Sequence, residues 1–176
     1  RSLHDALPIS SPRAANEEQA RKVMAAAPLS YVGVFRNADI NEVAAKADAL
    51  SLSAIQLHGD EDQAYIDALR HVLAPQVQIW KAQSVGATLP ARNLKHVDKY
   101  VLDNGQGGTG QRFDWSLLRG EVLDNVLLAG GLSPDNCVEA AKTGCAGLDF
   151  NSGVESQPGI KDASKLASVF KTLRAY

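Results

Sequence analysis

The sequence predicts an α/β protein built from serial βα units, and three observations predict it. Short apolar runs recur at a nearly constant interval, amphipathic segments fill the gaps, and residues able to do chemistry collect where the runs end. The runs cover residues 31–35, 54–57, 77–81, 99–102, 126–129 and 147–150, and their starts lie 21 to 27 residues apart. That interval holds one strand, one helix and two short loops, which is a crossover repeat and not a series of hairpins. Crossovers of this kind join parallel strands.

Between the runs, helix starts have a mechanism. Asp39 with Glu42, and Asp60 with Gln63, each set a capping oxygen three residues before a side chain that can reach back. Ile40, Val43, Ala44, Ala47 and Leu50 then share one helical face, as do Leu166, Val169, Phe170 and Leu173, and both faces are expected to cover the sheet. Ser133 before Pro134 predicts a further start, with proline in the first turn where no amide donor is needed.

Serial parallel units form either an open doubly wound sheet or a closed (βα)8 barrel. Polar residues separate the two: Gln56 with His58, Lys81, Asp103, Gly130, and Asp149 with Asn151 end most of the runs, a ring-like distribution that favours the barrel. A doubly wound sheet concentrates its chemistry at one switch point. Six strands are two short of eight, and 176 residues fall below the roughly 200 to 250 usual for the fold. Residues 1–15 have the wrong pattern for a strand, a helix and a strand and cannot hold two such units, so the deficit is placed at the front: a barrel lacking about its first two units.

Composition narrows the function classes. Eighteen basic against 20 acidic residues give a net charge of −2, with no basic footprint for nucleic acid or an anionic membrane. No apolar run approaches the roughly 18 residues that cross a bilayer, and a cytoplasmic protein is expected. The two cysteines, Cys137 and Cys145, fall on a helix and just before a strand, without metal-ligand spacing, and are read as reduced and structural.

Three glycine-bearing stretches, 107–110, 130–134 and 149–153, can each cradle a phosphate or form a plain turn. The last two follow the final two strands, where phosphate sites recur in barrels. Asp103, at a strand tip, suits a general acid or a turn aspartate. His58 suits a ligand contact or a turn cap. Lys81 suits a Schiff base, as in an aldolase, or pairing with a carboxylate. Arg13 suits a carboxylate clamp or a solvated surface position.

Five strings occur in one order: Tyr31-Val32-Gly33-Val34-Phe35; Gln56-Leu57-His58-Gly59; Leu102-Asp103 with Gly107-Gly108-Thr109-Gly110 and Phe113-Asp114-Trp115; Leu128-Ala129-Gly130-Gly131-Leu132; and Asn151-Ser152-Gly153-Val154-Glu155. From about Ser11 to Tyr176 the chain thereby resembles phosphoribosylanthranilate isomerase, and most closely the C-terminal half of the bacterial bifunctional enzyme that also carries indole-3-glycerol-phosphate synthase. The resemblance implies a (βα)8 barrel that isomerises N-(5-phosphoribosyl)anthranilate by an Amadori rearrangement in tryptophan biosynthesis, without cofactor or metal. It implies Asp103 as the general acid and Arg13 as the residue facing the anthranilate carboxylate. It further implies Gln56, His58, Gly108, Gly130, Gly131, Asp149, Asn151 and Ser152 as substrate and phosphate contacts. The family's general base, a cysteine ending the first strand, has no counterpart here, so this chain is expected to be inactive, with a non-catalytic phosphate-binding remnant as the alternative. Residues 1–10 look unlike the family and are expected to be a leader without order. An upstream synthase domain is the expected fusion partner.

Overall fold

A computed structural model describes residues 2–4, 16–105 and 112–176. The chain divides into two compact units, residues 1–82 with 93–99, and residues 83–92 with 100–176.

In the first unit the elements are β1 (Ser2–His4), α1 (Glu17–Ala26), β2 (Val32–Phe35), α2 (Ile40–Ala49), β3 (Ala54–Leu57), α3 (Gln63–Val72) and β4 (Gln78–Ser84). Successive strands pair in parallel, with Val34 opposite Gln56 and Leu57 opposite Lys81. β2 and β3 are buried at every position, which is why they read as unbroken apolar runs and not as alternating ones. Their core joins Ile55, Leu57 and Ile79 to Val43 and Ala47 of α2 and Ile66 and Leu69 of α3. Each buried leucine or isoleucine there contributes about 1.5–3 kcal/mol. The face expected of α2 is the packed one: Val43 and Ala47 are buried, and Ile40, Ala44 and Leu50 lean on the same cluster.

The second unit holds β5 (Lys99–Asp103), β6 (Val126–Leu128), α4 (Cys137–Ala141), β7 (Gly147–Leu148), the antiparallel pair β8 (Glu155–Gln157) and β9 (Ile160–Lys161), and α5 (Ala163–Ala175). β5, β6 and β7 are parallel and adjacent in chain order. One cluster gathers Leu102, Val126, Leu128 and Leu132 with Phe113, Trp115 and Leu118. A smaller one sets Val169 of α5 on Cys137 and Val154.

Several expectations need correction. β1 lies in the stretch read as a leader without order: three residues are too few for any periodicity, and what defines the strand is its backbone pairing with residues 32–34. The parallel strands therefore number seven among the described residues, one more than the six expected. α3 is capped by Asp62, whose carboxylate accepts from Tyr65 N–H, and not by Asp60. Asp60 is drawn away because its N–H donates to Asn37 Oδ1 and its Oδ2 accepts from Asn37 Nδ2. Ser133 opens a turn, and α4 begins only at Cys137, because Asn136 ties that turn down first. β4 continues to Ser84, so Lys81 sits inside the strand and not at its end. Phe170 is 58% exposed and covers no sheet. Arg13 and Gly108, with the stretch 107–110, lie outside the described residues.

Candidate active site

Backbone bonds carry the second unit's ladder past its strand ends and so fix the candidate residues at one rim. Val85 N–H donates to Asp103 O at 2.7 Å, Ala129 N–H to Leu102 O at 2.8 Å, and Asp149 N–H to Leu128 O at 2.8 Å. Asp103, Gly130 and Asp149 therefore follow one another along the C-terminal ends of β5, β6 and β7. The carboxyl group of half-buried Asp103 is steadied through Oδ1, which accepts Gly105 N–H at 2.6 Å. Gly105 can turn back to make that bond because its φ is +72°, a conformation that favours glycine.

Gly130 is adjacent to Asp103 in space as well as in register. A Cβ placed on it would lie 3.1 Å from Asn104 N and 3.4 Å from both Asp103 Cα and Cβ, and its φ of +80° is itself unfavourable for a side chain. Glycine here lets the backbone after β6 pass against the acid. Gly131 follows at φ +70°, and Asn136 then clasps the turn: its Oδ1 accepts Ser133 N–H and its Nδ2 donates to Gly131 O, each at 2.9 Å. The amide of Ser133 is thus already used. A dipole-assisted helix start was expected here, but α4 is five residues long and has no side-chain cap. Backbone amides of the loop, and not a helix end, are what this segment can offer an anion.

The rim after β7 is held by a lysine that the sequence reading passed over. Lys161 Nζ donates to Asn151 Oδ1 at 2.8 Å, to Asn151 O at 3.1 Å and to Glu155 Oε1 at 3.0 Å. Lys161 comes opposite Glu155 because β8 and β9 form a hairpin through Gly159, φ +84°. The Gln157-Pro158-Gly159 turn was its available signal. Ser152 and Gly153 lie in the next turn, where a Cβ on Gly153 would stand 1.9 Å from Leu132 O. That close approach welds the loops after β6 and β7 together.

In the first unit, Gln56 is buried within β3 and the exposed His58 follows the strand. Gln56 Nε2 lies 3.2 Å from His58 Nδ1. With the amide as donor, Nδ1 accepts and the neutral ring carries its proton on Nε2. Lys81 takes the carboxylate-paired alternative: it is bound to Glu61 Oε2 at 3.1 Å, and the two side chains are 7% and 1% exposed. An ammonium held as a charge partner is a poor Schiff-base nucleophile, so the aldolase alternative loses its basis.

The cysteines are placed as expected. Cys137 is buried at the first position of α4 with its thiol donating to Pro134 O at 3.3 Å. Cys145 is half-buried ahead of β7, at the end of that strand remote from Asp149, and burial pushes its thiol pKa up. Both are free thiols. Among the described residues, no helix is long and apolar enough to cross a membrane.

Parallel βα units whose acid and glycine turns share the C-terminal strand tips define an α/β protein whose candidate chemistry collects at that rim. Comparison with known proteins makes this specific. The chain belongs to the N-(5'-phosphoribosyl)anthranilate isomerase family, isomerases of tryptophan biosynthesis, whose profile matches residues 3–172. It is 72% identical over 167 residues to the tryptophan biosynthesis protein TrpCF of Salmonella typhi, covering 95% of this chain and 37% of that protein. Thus the chain spans little more than a third of that relative. Among solved structures, phosphoribosyl anthranilate isomerase of Thermus thermophilus superposes with a TM-score of 0.82 at 30% identity, covering 99% of this chain and 86% of that one. Another phosphoribosyl anthranilate isomerase, in complex with reduced 1-(o-carboxyphenylamino)-1-deoxyribulose 5-phosphate, superposes at 0.78 with 27% identity, covering 99% and 87%.

Proposed function

We propose that this chain carries the general acid and the phosphate grip of an isomerase that converts N-(5-phosphoribosyl)anthranilate into 1-(2-carboxyphenylamino)-1-deoxyribulose 5-phosphate. The observation that carries this reading is the contact of Gly130 with Asp103 at one rim, in a member of this family. Asp103 protonates the furanose ring oxygen, the C1–O bond breaks, and the anthranilate nitrogen supplies the electron pair that makes a Schiff base. Gly105 N–H, bonded to Oδ1, steadies the carboxyl group in this role. Such proton donation contributes about 10²- to 10⁴-fold in rate. Loss of the C2 proton then gives an enolamine, which tautomerises to the ketone. The family resemblance makes Gly130, Gly131, Asp149, Asn151 and Ser152 phosphate and substrate contacts, and it gives Gln56 and His58 the role of substrate contacts. The resemblance adds Arg13, toward the anthranilate carboxylate, and Gly108 to the expected substrate contacts.

Removal of the C2 proton needs a base, and neither cysteine suits it: Cys137 is sealed in α4, and Cys145 lies at the wrong end of β7. This reading takes the chain as the binding half of the machinery, the phosphate-binding remnant among the readings above. On this reading β1 to β7 are strands of a (βα)8 barrel, and an indole-3-glycerol-phosphate synthase domain is the expected upstream fusion partner.

The test uses the purified full chain. Titration with the reduced product analogue should show saturable binding that Gly130→Val abolishes, while the fluorescence of substrate stays constant over time. Substrate consumption at the rate of a complete isomerase would remove the claim about the base. Absence of analogue binding by folded protein would remove the grip.

A further inference from the structure

We propose that Lys81 and Glu61 are positioning residues for His58, fixing the loop that presents its imidazole to the ligand. This rests on the proposed function for the identity of that ligand. The pair grips two consecutive peptide groups directly after His58. Glu61 Oε2 accepts the N–H of Gly59 at 2.9 Å, and Lys81 Nζ donates to the C=O of the same residue at 2.7 Å. The other carboxylate oxygen, Oε1, accepts Asn37 N–H at 2.7 Å, which ties in the loop beyond β2. Asn37, at φ +50°, returns its side-chain oxygen to Asp60 N–H, and Gly59 lies so close that a Cβ would stand 2.1 Å from that oxygen. On the near side, His58 N–H is itself bonded to Phe35 O at 2.8 Å. The backbone on both sides of His58 is thus fixed, and Gln56 fixes the ring.

Stability alone is a poor reason for such a pair. Burying two charges costs desolvation, and a well-packed apolar pair of similar volume commonly holds a fold as well or better. What the charges add is direction, because each bond they make to the backbone ends on the loops beyond β2 and β3. Misplacement of a contact group by about 1 Å can cost on the order of 10²-fold in function, so a rigid clasp under an exposed histidine has a use that core packing does not supply.

The experiment compares the full chain with Lys81→Met, Glu61→Gln, Lys81→Arg and the double change Lys81→Met with Glu61→Leu. The readouts are the imidazole nitrogen signals of His58 by NMR, and the affinities for the reduced product analogue and for inorganic phosphate. In the unaltered chain the neutral ring should show one tautomer, protonated on Nε2. Both single charge deletions should bring the signals to tautomer-averaged positions and weaken the analogue by about tenfold or more, with phosphate affinity unchanged. Lys81→Arg should keep the single tautomer. Should the single deletions fail to fold, the double change, which leaves no buried charge unpaired, gives the same readouts. Folded variants with unmoved His58 signals would overturn the proposal, as would moved signals with full analogue affinity. An unaltered chain that ignores the analogue would instead overturn the proposed function, and the ring signals would still decide whether the pair positions His58.

Discussion

The loops beyond β2 and β3 in the first unit are joined by a buried ion pair, whereas those beyond β5, β6 and β7 in the second are shaped by glycines and asparagine side chains. Lys81 and Glu61 supply charge where almost no water reaches. Gly105, Gly130 and Gly131 supply positive φ, Asn136 staples one turn, and Lys161 reaches Asn151 from a hairpin at the surface. The contrast matches the proposed ligand. A phosphate dianion is best met by loop amides that come close, and a fully buried cation there would already be neutralised by its own partner. An imidazole that contacts a ligand needs a fixed bearing, which a rigid charged clasp provides.

Removing each device should separate the units, most sharply for the ion pair. Lys81→Met strands the Glu61 carboxylate in the core and should cost about 3–5 kcal/mol in urea unfolding. Lys161→Met, whose side chain is 41% exposed although its partner Glu155 is only 3% exposed, should cost less, about 1–3 kcal/mol. Comparable losses would mean that the two lysines do the same job. Alanine at the two crowded glycines should give the next effect. Gly153→Ala drives its methyl toward a backbone carbonyl and should cost about 3 kcal/mol, whereas Gly59→Ala meets the Asn37 side chain and should cost about 1–3 kcal/mol. A reversed order in the melting temperatures would show that the Asn37 network yields less than the loop at Leu132.

The smallest effects separate the units by pH. Asp162 caps α5, and its pKa is held below the ordinary 3.8 by the Ser164 hydroxyl and by the Lys165 amide. Its stabilisation is therefore present above that value and is lost as pH falls through the lower folded one. Amide shifts of residues 163–166 should report fraying in acid, and Asp162→Asn, still a cap, should flatten that response. Tyr65 moves the other way, raised to about 12 by burial and by Glu61. Its contribution is complete below pH 10 and is lost as pH rises through about 12, so the first unit should lose stability across that alkaline range. Tyr65→Phe should abolish the dependence, and persistence of the alkaline limb in that variant would assign it to another group.

Much of the fold was legible because it is local. Residues 54–57 read as β3 to the residue, and Asp39 as the cap of α2, since a buried strand is an apolar run and a cap acts over three residues. What was missed depended on partners distant in the chain. Asp60 looked like the better cap until Asn37, 23 residues earlier, took both its amide and its carboxylate. Glu61 carried no visible signal at all, because an acid beside two others in a loop reads as solvated surface. β1 gave no pattern, and β8 with β9 was indicated only by Pro158-Gly159. The candidate acid and the turns after β6 and β7 were found at strand tips, where parallel topology puts chemistry.

By itself the sequence determined a parallel βα repeat, its family, and which strand tips carry an acid and close-approach glycines. Periodicity and glycine placement are properties of neighbours along the chain, and they are written there. Only the tertiary structure decided that Lys81 answers Glu61, that Lys161 holds Asn151, and that Cys137 is buried against Pro134. The two lysine contacts are matters of distance between segments 10 to 20 residues apart, set by packing and by the cost of leaving a buried charge without its counterpart.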